Sequence, residues 1–90
     1  MNVKQAVASA KRYIGELYSE EGIANVGLEE VDFDSKAREW EVTIGFSRPW
    51  DEAGNSLLKP GIRSRSYKVV RVSDATGDVR SVKDRLAFVA

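Results

Sequence analysis

Apolar residues follow two periods along this chain, first that of a helix and then that of strands. Val3, Ala6, Val7, Ala10, Ile14, Leu17 and Tyr18 recur at three- and four-residue spacing, which gathers them into one stripe of an amphipathic helix. The spacing predicts a helix over residues 3–20. Asn2 supplies its N-cap, and Gln5 three positions on completes a capping-box pattern. Gly22 suits the left-handed residue that ends a helix, with Ile23 folding back on the last turn. Lys11 and Arg12 fall on the solvent side. Glu20 and Glu21 sit at the negative end of the helix dipole, a mildly unfavourable place that implies no function by itself.

From Ala24 the period becomes two. ANVGLEEVDFD (24–34) alternates through Ala24, Val26 and Leu28, then slips in phase to Val31 and Phe33. That slip predicts a β-bulge beside Glu29 and Glu30, with Gly27 helping the chain curve. After a DSKARE turn, a second strand over 38–47 sets Trp40, Val42, Ile44 and Phe46 on one face and Glu39, Glu41 and Thr43 on the other. SYKVVRVS belongs to a third strand, 63–73, with apolar residues in both phases. Asp74 to Gly77 reads as a turn, and a short strand over 78–83 follows. One helix and then a run of strands predicts an α+β single domain over 1–90, with the N-terminal helix packed on a three- to four-stranded antiparallel β-meander.

Composition narrows the chemistry. The 90 residues include no cysteine and no histidine, which removes thiol nucleophiles, disulfides, imidazole bases and the usual zinc, haem and iron–sulfur ligands. A non-enzyme is expected, without cofactor or metal. Asp32 and Asp34 lie near Glu29 and Glu30, but no glycine-centred calcium loop follows them, so they read as a solvated acidic strand. No apolar run is long enough to cross a bilayer, and Lys4, Lys11 and Arg12 interrupt any signal-like segment. The expected location is cytoplasmic, with no membrane contact. Formal net charge is zero, yet residues 1–47 hold five basic and nine acidic residues, net −4, and residues 48–90 hold nine basic and five acidic, net +4. Cross-strand neutralisation is the simpler reading of that asymmetry, ahead of two charged faces for partners.

Two motifs carry a resemblance. Arg38-Glu39-Trp40-Glu41-Val42, followed by the strand and turn from Tyr67 to Val79 (YKVVRVSDATGDV), resembles PepSY-like domains, and the order of elements resembles the half-cystatin shape, a helix wrapped by a curled antiparallel sheet. The resemblance implies a non-catalytic binding or inhibitory module. The chain departs from that pattern in its long segment between the middle strands, RPWDEAGNSLLKPGIRSRS (48–66).

That segment reads as a two-bend hairpin arm and supplies the candidate contact residues. Trp50 falls off the strand period beside a polar turn, as interface anchors do. With Leu57, Leu58, Arg63 and Arg65 it forms the expected surface for an unidentified protein partner. Two alternatives stand beside this reading. Arg63, Arg65, Tyr67, Lys68 and Arg71 offer a basic strand with a stacking platform for nucleic acid, although zero net charge and a pI near 6.3 argue against it. A homodimer through a sheet edge is the other.

Overall fold

The computed structural model describes residues 1–49 and 65–85. Helix α1 (Val3–Leu17) is followed by a 3₁₀ turn at Ser19–Glu21 and by strands β1 (Ala24–Asp34), β2 (Glu39–Ser47), β3 (Ser66–Ser73) and β4 (Val79–Asp84). The strands form one antiparallel sheet in the order β1-β2-β3-β4, and α1 packs on one of its faces. This is the predicted α+β meander, with four strands.

The start of α1 is set by the capping box. The Gln5 N–H donates to Asn2 Oδ1 at 2.9 Å, and the Asn2 N–H donates to Gln5 Oε1 at 2.9 Å. Its end comes earlier than residue 20. Tyr18 leaves helical geometry, and the chain tightens into the 3₁₀ turn, where the Glu21 N–H reaches the Tyr18 carbonyl at 3.0 Å. Tightening the last turn satisfies carbonyls that an α-helix would leave open. Gly22 then stops the turn in the left-handed region at φ 64°.

β1 is irregular, as its phase slip predicts. Leu28 faces Ile44 and Glu30 faces Thr43, which leaves Glu29 as the extra residue of a bulge. A second irregularity lies between Ala24 and Gly27. There the left-handed residue is Asn25 (φ 57°) rather than the glycine, since a short amide side chain tolerates that conformation. At the β1–β2 turn, Asp34 Oδ1 accepts the N–H groups of Lys36 and Ala37 at 3.0 and 3.1 Å. Arg38, also left-handed at φ 56°, belongs to this turn, so β2 begins one residue later than expected. The β3–β4 turn closes with the Gly77 N–H on the Ser73 carbonyl at 2.8 Å.

The core lies between α1 and the two central strands. Ala6, Ala10 and Ile14 of the helix meet Val42, Ile44 and Phe46 of β2 and Val70 and Val72 of β3, all 0% exposed. Small side chains at positions 6 and 10 let the helix lie close to the sheet. Trp40, expected in the core, stands at its margin. It is half-buried against Phe33 (ring centroids 4.9 Å apart), and its indole N–H donates to Asp74 Oδ1 at 3.0 Å. The polar ring nitrogen needs a partner, and that partner lies at the end of the sheet.

Candidate functional site

Of the predicted contact residues, Trp50, Leu57, Leu58 and Arg63 lie outside the described residues. The two roots of the arm do not. Phe46 and Ser66 are register partners in β2 and β3, so the arm leaves and rejoins the sheet at one place, beside the C-terminal end of α1. On the leaving side, the Arg48 guanidinium stands over the rings of Tyr18 and Phe46 at 5.2 and 5.4 Å, and its Nε lies 3.6 Å from Glu21 Oε1. Tyr18 and Phe46 pack on each other, with centroids 5.1 Å apart. On the returning side, Arg65 Nη2 lies 3.3 Å from Glu29 Oε2. Both groups lie over Gly45, where a Cβ would stand 2.9 Å from the guanidinium and 2.7 Å from the carboxylate. The absence of a side chain at 45 is what gives this ion pair its room. The anchoring role of Arg48 went unread in the sequence because cation–π contacts depend on which rings the fold brings beneath it.

The basic strand divides between two faces. Arg65, Tyr67 and Arg71 share the open face, as their parity predicts. Lys68 does not join them. It shares a face with Ile44 and Val70 through the register of β2 and β3, its Nζ lies 5.9 Å from the Tyr18 ring centroid, and it pairs with Asp84. The period of two removes it from the proposed phosphate-tracking set.

On the open face, charges from the two halves of the chain meet. Arg71 reaches three carboxylates: Glu39 at 2.9 Å, Glu41 at 3.1 Å and Asp34 at 3.4 Å. Arg80 lies 3.9 Å from Glu39 and Arg85 lies 3.4 Å from Glu30. Acidic residues of β1 and β2 and arginines of the second half are thus laid side by side on the open face. Hydrogen bonding to Glu39, with further help from Glu41 and Asp34, raises the Arg71 pKa still further. The Ala37 N–H, followed by Arg71, holds the Asp34 carboxyl below its ordinary range. The Trp40 indole does the same for Asp74, and Lys68 for Asp84. A general acid at neutral pH needs a carboxyl pushed upward, and these three are pushed downward. Among the described residues no group of three or more carboxylates is placed to hold a metal ion, and no helix is long and apolar enough to cross a membrane. No family model, curated protein or solved structure matches the chain.

Proposed function

We propose that this chain is a non-catalytic protein-binding or regulatory module of PepSY-like, half-cystatin character, whose contact surface is the 48–66 arm with the adjacent strand β3. The observation that carries this reading is the double anchorage of the arm. Arg48 is held by Tyr18, Phe46 and Glu21 at one root, and Arg65 by Glu29 at the other. A segment presented from a fixed base loses less freedom on binding than one on a loose tether. The chemistry of the open face supports the same view, because its carboxylates and arginines are engaged with one another. Arg71, the centre of the nucleic-acid alternative, already faces three carboxylates, which disfavours that alternative.

The test is capture of a partner by the immobilised chain, with the partner then purified and titrated against wild type and the variant Trp50→Ala/Arg65→Ala. The expected result is loss of binding by about tenfold or more, as for a hot-spot residue, with thermal stability nearly unchanged. Unchanged partner affinity together with a large loss of stability would overturn the assignment and make these residues structural.

A further inference from the structure

Helix α1 does not cover the sheet evenly. It touches β1, β2 and β3, yet the edge strand β1 keeps part of its helix-side row open. Leu28 is 43% and Phe33 39% exposed, although register places them beside Ile44 and Trp40 on the covered face. Between α1 and β1 runs a trough of about 390 Å³, lined by Val3, Lys4, Val7, Ala8, Lys11 and Leu28. Val3, 41% exposed, continues the apolar lining on the helix side.

The charge of this trough indicates what it would take. Among the described residues, the salt bridges draw on the N-terminus, Arg48, Arg65, Lys68, Arg71, Arg80 and Arg85. Lys4 and Lys11 take part in none of them. Seven residues apart on a helix, they stand on one face about 10.5 Å apart along the axis. Two uncompensated ammonium groups beside an apolar recess complement a segment that alternates apolar residues with carboxylates.

We propose that the α1–β1 trough docks an acidic amphipathic segment of a partner protein. Its apolar side chains lie against Val3, Val7 and Leu28, and its carboxylates meet Lys4 and Lys11. A second copy of this chain fits poorly. Pairing β1 with another β1 would set acidic strands side by side, Glu30, Asp32 and Asp34 among them. The edge is also closed to a further strand: Glu29 forms a bulge, and the Phe33 N–H is held by the carboxylate of Asp32 at 2.8 Å.

This inference rests on the protein-binding reading but places the contact away from the arm, so the two fail separately. Random peptides displayed on phage are selected against the full chain, and the selected peptides are then synthesised and titrated. The expected sequences interleave Asp or Glu with Leu, Ile or Phe. They bind Lys4→Glu/Lys11→Glu about tenfold more weakly, while Trp50→Ala/Arg65→Ala binds them as wild type does. On isotope-labelled protein, amide shifts move over Val3–Lys11 and around Leu28. Glutamate at position 4 suits the dipole of the helix start, and glutamate is a good helix former at position 11, so the charge-reversed variant folds, and a thermal melt checks this. Peptides without acidic bias, peptides indifferent to the charge reversal, or peptides lost on the arm variant would overturn the proposal. So would binding to phosphatidylserine vesicles with no enrichment of acidic peptides.

Discussion

The two faces of this sheet are built from the same strands and solve opposite problems. On the helix side, β2 and β3 contribute Val42, Ile44, Phe46, Val70 and Val72, all withdrawn from water. On the other side β2 contributes Glu39 and Glu41 and β3 contributes Arg71, with Arg65 just before it, and these pair across the ladder and with β1. The first face is held by the transfer of apolar area out of water, at roughly 25 cal/mol per Å². The second is held by ion pairs in a high-dielectric setting, each worth far less. Stability therefore comes mainly from the covered face, and the open face carries charge paired across the ladder.

The largest effect is expected from a cavity opened on the covered face. Phe46 is 0% exposed and packs on Tyr18. Phe46→Ala should cost about 3–5 kcal/mol in urea denaturation, a large fraction of the stability of so small a domain. A loss below about 1 kcal/mol would mean that the covered face is not the source of stability.

On the open face the corresponding change is Arg71→Met, which leaves Asp34, Glu39 and Glu41 without their shared cation. The expected cost is about 1 kcal/mol at low ionic strength. It should shrink toward zero in roughly 1 M salt, where screening acts within about 3 Å. A salt-independent loss would indicate that Arg71 acts through packing of its stem and not through charge.

The smallest effect is with pH. Asp34, Asp74 and Asp84 are held below the ordinary carboxylate value by the Ala37 N–H, the Trp40 indole and Lys68 respectively. A carboxyl whose pKa falls on folding contributes stability that is complete above its unfolded value, about 4, and is lost as pH falls through the folded value. The chain has no histidine. The midpoint of thermal unfolding should therefore be flat between about pH 5.5 and 7.5 and decline below about pH 4. A step near pH 6.5 would contradict this.

Much of the architecture was legible because local rules and the fold agree. The capping box at Asn2 and Gln5, the stop at Gly22, the period of two in β2 and the phase slip at Glu29 all reappear in space. Misreadings arose where a residue answers to a distant neighbour. Trp40 follows the apolar period, yet its ring nitrogen draws it to Asp74 at the sheet end. Lys68 belongs to a run of basic residues, yet its parity turns it toward Tyr18. The exposed row on β1 was invisible for a related reason. Leu28 and Phe33 carry the alternation of a covered strand, yet both stay partly open on the helix side. The arm's Trp50, Leu57, Leu58 and Arg63 lie outside the described residues, and their assignment rests on the sequence and on the anchored roots.

The arginines Arg65, Arg71, Arg80 and Arg85 face this protein's own carboxylates, and the proposed module gives them no role in holding a polyanion. Titration of single- and double-stranded nucleic-acid probes with the full chain at low salt, where phosphate contacts are strongest, checks this. No saturable shift is expected with either probe. A saturable shift that weakens with salt and is lost in Arg71→Ala would contradict it, because the open-face arginines would then be available to phosphate.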